Sequence, residues 1–400
     1  MRVVLAGAGR MAAGVLHDLL EFGPPDEVLV LDASAKALER LRDRFPGAPV
    51  RLEVCDLQDL AKLAPLVDGY DGLISVASYR LNQVLTGLAI ERGLHMIDLG
   101  GNPGVVRGQL ELDAAARKAG VTVVPDCGLA PGMVSLLAAD GITRVGHARR
   151  VQIRVGGLPL SPKAPLNYAL FFSAEGLLNE YLEDCLVLRN GRPAWVPPLS
   201  ELETLTFPEP YGDLEAFQTS GGTSTLPLTY EGVVSKLDYK TIRYPGHCRI
   251  LRTLFGLGLA DTEPVRTRLG EAVPREVLAQ LLERHLEHDP EDVVLVRVVT
   301  ESISSDGPAS SADGPGVAAE TGDLSACARV THQLIAHSDA QAGLSAMQRA
   351  TAFPASIVMQ MILRGAARSC GVVPQEKAIA PGPFLAELAR RGLEVEIRTT

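Results

Sequence analysis

Aromatic residues are scarce in this 400-residue chain: they make up 4% of it, and Trp195 is its one tryptophan. At 46% hydrophobic there is nonetheless ample material for a sizeable core. Cysteines are few and scattered, at Cys55, Cys127, Cys185, Cys248, Cys327 and Cys370. None form a CxxC pair, which argues against a zinc site or disulfides and suits free thiols in a reducing cytoplasm. A basic excess is also missing. Lys and Arg total 38 against 48 acids, a net charge of -10, and no basic run stands out. Nucleic acid is thus not an expected partner. No apolar run reaches membrane-spanning length, so no membrane partner is expected. The first strand begins at the N-terminus, which leaves no room for a signal peptide. Internal repeats and coiled-coil heptads are lacking. The length itself suggests two or three domains.

What is present is organised around the first twenty residues. Val3-Val4-Leu5-Ala6 suits a parallel strand buried on both faces. Gly7-Ala8-Gly9-Arg10-Met11-Ala12 follows, then Val15, Leu16, Leu19 and Leu20 at helical spacing. Strand, glycine turn and helix give a GxGxxA string its meaning. Gly7 permits the turn, Gly9 lets a pyrophosphate approach the backbone, and Ala12 lets the helix lie close to the strand. The free N–H groups at the helix start then bind phosphate. Arg10 and Met11 stand at that start, though Arg10 also reads as a solvated charge. A second strand ends in Asp32, 23 residues after Gly9. A carboxylate there takes the adenosine ribose hydroxyls and repels a 2′-phosphate, which favours NAD. The alternative for Asp32 is a cap for the helix starting near Ser34.

Up to about residue 125 the chain reads as alternating strands and helices, with strands at 3–6, 28–31, 50–54, 72–75, 95–98 and 121–124. This predicts an α/β fold with a doubly wound parallel Rossmann sheet. Ligands sit beyond the carboxyl ends of such strands, so Asp32, Asp56, Ser78, Tyr79, Asp98 and Asp126 draw attention. Asp56 reads equally as an adenine partner and as a helix cap. Ala77 and Ser78 lie where the nicotinamide half should pass. Asp98-Leu99-Gly100-Gly101-Asn102-Pro103 is a loop of unusual backbone angles. Pro125 to Met133, with two prolines and two glycines, reads as a hinge into a second domain.

Beyond the hinge the pattern is mixed. Residues 149–155 alternate like a strand that stops at Gly156-Gly157. A helix is expected at 175–184, and a hairpin around Asn190-Gly191. In the strand at 237–244, Leu237, Tyr239, Thr241 and Arg243 share one face, and Asp238, Lys240 and Ile242 the other. Strands at 293–299 and 326–336 are expected to pair, with 302–323 as a flexible hairpin tip. An apolar helix opens at 351–359 with Pro354 near its first turn. A shorter helix follows at 384–393.

Several of these strings together resemble the saccharopine dehydrogenase and lysine dehydrogenase family, the lysine 6-dehydrogenases most of all. They are the GAGRMA turn, Ser78-Tyr79, Asp98-Leu99-Gly100-Gly101-Asn102, the DCGLAPG string from Asp126, the YKTIRYPGH string from Tyr239 to His247, and the 351–359 helix. The resemblance implies an NAD-binding Rossmann domain (1–130), a mixed α/β substrate and dimerisation domain (131–345), and C-terminal helices (346–400) that return to the first. A homodimer and a small amino acid substrate follow from the same resemblance. It also implies substrate contacts from Ser78, Tyr79 and residues near Arg243, with Lys240 and Thr241 beside it.

An amine loses hydride only when neutral, so a base is required. Asp126 and His247 are the candidates. Asp126 alternatively holds the turn, and His247 alternatively is a satisfied loop histidine. Arg243 offers a planar fork for the substrate carboxylate, or else is a surface strand arginine. On a regular strand Lys240 faces away from Arg243, so both reach one carboxylate only across a bulge. The expected reaction is NAD-dependent oxidation of the side-chain amine of L-lysine to the semialdehyde, which cyclises. The rivals are a saccharopine reductase and a non-catalytic NAD-binding regulator. Saccharopine would need a further basic anchor, for which Lys163 and Arg154 are the candidates.

Overall fold

A computed structural model describes residues 1–287, 291–302 and 328–400. The expected hairpin tip at 302–323 lies, from 303 onward, outside them. Six parallel strands alternate with helices at the start: β1 (Arg2–Ala6), β2 (Glu27–Asp32), β3 (Val50–Val54), β4 (Gly72–Ser75), β5 (His95–Asp98) and β6 (Thr122–Val124). Their order in the sheet is β3-β2-β1-β4-β5-β6. The order reverses between β1 and β4, the place where a doubly wound sheet opens its ligand crevice. β1 is a continuous Val-Val-Leu-Ala run with no exposed surface from Val3 to Ala6, as a strand covered on both faces requires.

The second sheet begins with β7 (Ala148–Pro159) and continues through the hairpin β8 (Cys185–Arg189) and β9 (Arg192–Val196). Asn190 and Gly191 at its turn both have positive φ, the geometry a two-residue hairpin selects. Then come β10 (Glu203–Phe207), β11 (Gly212–Gln218), β12 (Lys236–Arg243) and a small separate hairpin, β13 (Val265–Thr267) and β14 (Gly270–Ala272). The long strands β15 (Asp292–Ser302) and β16 (Arg329–His337) pair antiparallel as expected. The main path of the sheet is β10-β11-β12-β7-β15-β16, closed at the far edge by β18 (Glu396–Thr399). β7 does not stop at Gly156-Gly157. It runs on to Pro159, because Leu295 and Val294 of β15 continue to pair with those two glycines.

The C-terminal segment joins the two sheets. Its helix Ala346–Leu363 starts earlier than its apolar run suggests. Ser345 and Gln348 form a capping box, and the buried Asp292 carboxylate accepts the N–H groups of Ala346 (2.6 Å) and Met347 (2.9 Å). Pro354 therefore lies inside the helix and not in its first turn. The helix packs on Arg10–Phe22, with Gly14 against Ala352. A short strand, β17 (Gly371–Val372), extends the first sheet beside β6, and β18 extends the second. The return is thus made by strands as well as helices. Among the described residues no helix is long and apolar enough to cross a membrane.

Candidate active site between the two sheets

A cavity of about 430 Å³ lies where the carboxyl ends of β4, β5 and β6 face the second sheet. On the first-sheet side its wall includes Met11, Ala77, Ser78, Tyr79, Leu99, Gly100, Gly101 and Gly128. On the other side stand Tyr239, Thr241 and Arg243 of β12, Gly156 and Gly157 of β7, and Asn179, Glu180 and Glu183 around the end of helix Ala174–Leu182. Met347 and Thr351 of the joining helix complete the floor.

β12 is a regular strand, parallel to β7 and antiparallel to β11 without a bulge. Alternation then decides which side chains reach the cavity. Tyr239, Thr241 and Arg243 do. Lys240 does not, and its expected contact with substrate is corrected here. Its ammonium lies on the opposite face, bonded to the Glu201 carbonyl (2.6 Å) and the Glu203 carboxylate (2.8 Å).

Arg243 is 3% exposed yet has no carboxylate hydrogen-bonded to it among the described residues. Its Nε donates to the Tyr181 hydroxyl (2.8 Å) and its Nη1 to the Ile242 carbonyl (2.9 Å). The guanidinium lies 4.5 Å from the centre of the Tyr168 ring. Tyr181 in turn meets His247 Nε2 at 3.1 Å, and His247 Nδ1 meets the Leu166 carbonyl at 3.0 Å. A carbonyl only accepts, so Nδ1 carries the proton and Nε2 accepts from Tyr181. Burial, with Arg243 adding to it, pushes the imidazole down to about 3. His247 is therefore a neutral group behind Arg243, with both ring nitrogens in use and off the cavity wall. The base role expected for it is corrected to that of a support for Tyr181 and Arg243.

Asp126 is also off the wall. It sits at φ 59 and is 6% exposed. Ser224 donates to its Oδ2, while Oδ1 is buried with no hydrogen-bond partner. A Cβ on Gly100, whose φ is +77, would lie 1.9 Å from that Oδ1, so the glycine turn of the cavity wall rests directly on this carboxylate. Burial, then the neighbouring Asp98, raise Asp126 to about 7. Asp98, expected at the cofactor, is fully buried beneath the same turn. Its oxygens accept from Gly100 N (2.8 Å), Asp126 N (3.2 Å) and Gln109 Nε2 (2.7 Å). Both aspartates shape the wall from behind.

The proposed further anchors for a polycarboxylate substrate lie elsewhere. Arg154 is bonded to Glu203 and to Asp238 (2.8 Å) on the far face of the second sheet. Lys163 pairs with Glu287 (2.8 Å) at the surface. Arg80 reaches the cavity rim, where it pairs with Glu175.

Sequence reasoning missed the acidic wall. Glu180 is half-buried and faces the cavity. Burial pushes its carboxyl up to about 7, with Arg243 opposing, and no hydrogen bond contributes to holding its charge. Gly176, Asn179, Glu180 and Glu183 follow helical spacing, which could have placed them on one face. A polar helix face ordinarily meets water, so the signal was weak without the sheet opposite.

Two family models match the chain. One describes the saccharopine dehydrogenase NADP binding domain over residues 3–124, the other the saccharopine dehydrogenase C-terminal domain over residues 128–393. The chain belongs to the saccharopine dehydrogenase family. It is 25% identical over 319 residues to a saccharopine dehydrogenase [NADP(+), L-glutamate-forming] of Pyricularia oryzae, covering 76% of this chain and 67% of that one. With the mitochondrial alpha-aminoadipic semialdehyde synthase of Rattus norvegicus it shares 26% identity over 282 residues, 68% of this chain and 30% of the relative. The chain thus spans under a third of the mammalian relatives it matches. Among solved structures, apo saccharopine dehydrogenase (L-Glu forming) from Saccharomyces cerevisiae superposes with TM-score 0.78 at 18% identity, over 100% of this chain and 99% of that one. A homospermidine synthase from Legionella pneumophila in complex with NAD gives 0.67 at 12% identity, over 100% and 91%. At these identities the two structures establish the fold.

The family's dinucleotide fits the residues present. Gly7 has φ +108, and a Cβ there would meet Ala77 N at 3.0 Å. Above Gly9 an added Cβ meets nothing within 4 Å, the open space a pyrophosphate needs. No side chain caps the helix starting after Gly9, so its first N–H groups remain for phosphate. Asp32 accepts from Ala8 N (2.7 Å) and Ser34 N (2.7 Å), and so fixes the glycine turn from below. Arg10 is exposed at the start of that helix and donates to the Leu170 carbonyl of the second unit (2.9 Å). Asp56 is exposed beyond the end of β3, where it accepts from Gln58 N (3.0 Å).

Proposed function

We propose that the chain is a nicotinamide-dinucleotide-dependent dehydrogenase that oxidises the side-chain amine of L-lysine to the imine, which water hydrolyses to ammonia and the semialdehyde. The observation that carries this reading is the charge of the cavity wall. Arg243 is the one buried guanidinium there among the described residues, and Arg80 at the rim is paired with Glu175. Against them stand Glu175, Glu180 and Glu183. Such a wall suits one substrate carboxylate and two amines. Saccharopine carries three carboxylates, and the two cations it would recruit, Arg154 and Lys163, are paired elsewhere.

The cofactor supplies hydride acceptance when bound, and Gly7, Gly9, Met11, Ala77 and Ser78 are the residues to hold it. NAD is the preferred form on this reading, because Asp32 adds negative charge where NADP carries its extra phosphate. The Pyricularia relative is an NADP-dependent saccharopine dehydrogenase and the family's first domain is an NADP binding domain, so NADP and saccharopine make the second reading.

One panel tests both. The purified chain is given L-lysine or saccharopine with NAD or NADP, and the reduced cofactor is followed by absorbance. The expectation is turnover of lysine with NAD, at least tenfold above every other combination. Turnover of saccharopine without lysine would overturn the substrate reading, and a preference for NADP would overturn the role of Asp32.

A further inference from the structure

Two oppositely charged groups face one cavity here, and neither is hydrogen-bonded to a partner of opposite charge. Arg243 comes from the end of β12, and Glu180 from the end of helix Ala174–Leu182. Both side chains line the same cavity wall. They do not hydrogen-bond each other: Arg243 donates to Tyr181 and to Ile242. A direct salt bridge would have closed the site, and a pair held apart leaves room for a molecule carrying both charges.

We propose that Glu180 and Arg243 together read the zwitterionic head of an α-amino acid, Glu180 taking the α-ammonium and Arg243 the α-carboxylate. The assignment rests on the dehydrogenase reading above and supplies its regiochemistry. Both groups belong to the second sheet's side of the cavity, opposite the Met11, Ala77 and Ser78 wall that would face the nicotinamide. A head group fixed there points its side chain at the cofactor, so the distal amine is oxidised and the α-amine is spared. Glu180 acts on specificity and takes no proton from the reacting amine.

The groups around Glu180 are Tyr239 and Arg243 from β12, Tyr168 before its helix, and Tyr181 and Glu183 on its own chain segment. Burial holds the three phenols above their ordinary range, and His247 behind them is neutral, so Arg243 is the lasting positive charge facing Glu180. Glu180 at about 7 is partly protonated near neutrality and needs a bound ammonium to complete its ionisation.

The test compares L-lysine with 6-aminohexanoate, which lacks only the α-amine, and with cadaverine, which lacks the carboxylate. Wild type is expected to favour lysine over 6-aminohexanoate by at least about tenfold in kcat/KM, the range of one charge-assisted hydrogen bond. Glu180→Gln should abolish that ratio mainly through KM, and Glu180→Asp should restore part of it. In wild type the same ratio should shrink as pH falls below about 7, a readout that needs no variant and survives any misfolding. Equal loss on all three substrates, or a fall in kcat at unchanged KM, would overturn the proposal. Should wild type turn over saccharopine and not lysine, the substrate reading falls by itself. Glu180 is then judged on saccharopine, whose lysine end carries the same zwitterion, by whether Glu180→Gln raises KM or lowers kcat.

Discussion

The two faces of β12 carry the same kind of residue to opposite ends. On the far face, Lys240 and the adjacent Arg154 are buried cations paired with carboxylates: Glu203 serves both, and Asp238 takes Arg154. On the cavity face Arg243 is just as buried, but it is held by a phenol, a carbonyl and the face of an aromatic ring. None of those neutralises it. A buried cation with no anion hydrogen-bonded to it costs several kcal/mol in an apolar setting. The contrast separates a cation that welds a sheet from one that waits for a ligand.

The sharpest way to break this contrast is Arg243→Lys. It keeps the charge and loses both the planar fork and the stacking on Tyr168. Two charge-assisted bonds reduced to one correspond to roughly a hundredfold in kcat/KM, carried mainly by KM. Steady-state kinetics with L-lysine decide it. Wild-type kinetics in this variant would make Arg243 as structural as its neighbours on the other face.

Arg154→Met probes the ion-paired face. Removing one partner from a buried charge cluster costs about 3–5 kcal/mol, here by stranding Asp238 and part of Glu203. Denaturant unfolding should record that loss, while kcat of the folded fraction stays at wild type. A fall in kcat without loss of stability would mean the two faces are not independent.

How much of this was legible beforehand follows the range of the signals. The Rossmann half is written locally: strand, glycine turn, helix and Asp32 lie within 32 residues, and the topology followed. The alternation along β12 correctly set Arg243 and Lys240 on opposite faces, because period two is a property of the strand alone. What failed was long-range. His247 looked available because nothing near it in sequence announces Tyr181 or Leu166 as partners. Asp126 stands at a strand end as foreseen, yet the turn at Gly100 covers it. Glu180 was overlooked because its helix face becomes a cavity wall only when β12 folds opposite.

Asp126 gives the mildest and most discriminating variant. It is intermediate between the two cases: Ser224 satisfies one oxygen, and the other is buried without a partner. Its carboxyl is raised to about 7, chiefly by burial and then by Asp98, against about 3.9 in an unfolded chain. The folded state therefore holds this proton more tightly than the unfolded state. Between about pH 4 and about 7 the unfolded chain has fewer protons bound, so stability falls as pH rises across that window. Asp126→Asn keeps the shape and tolerates the positive φ, and it has no proton to lose. Its melting temperature should decline less than that of wild type between about pH 5 and about 8, the remainder of the slope coming from Asp98 and Glu376, which are raised by burial as well. Since Gly100 and Gly101 stand between this side chain and the cavity, kcat should stay within about threefold of wild type. A fall of about a hundredfold, the low end for loss of a general base, would return Asp126 to the reaction as the proton acceptor and make the glycine turn a door that substrate opens.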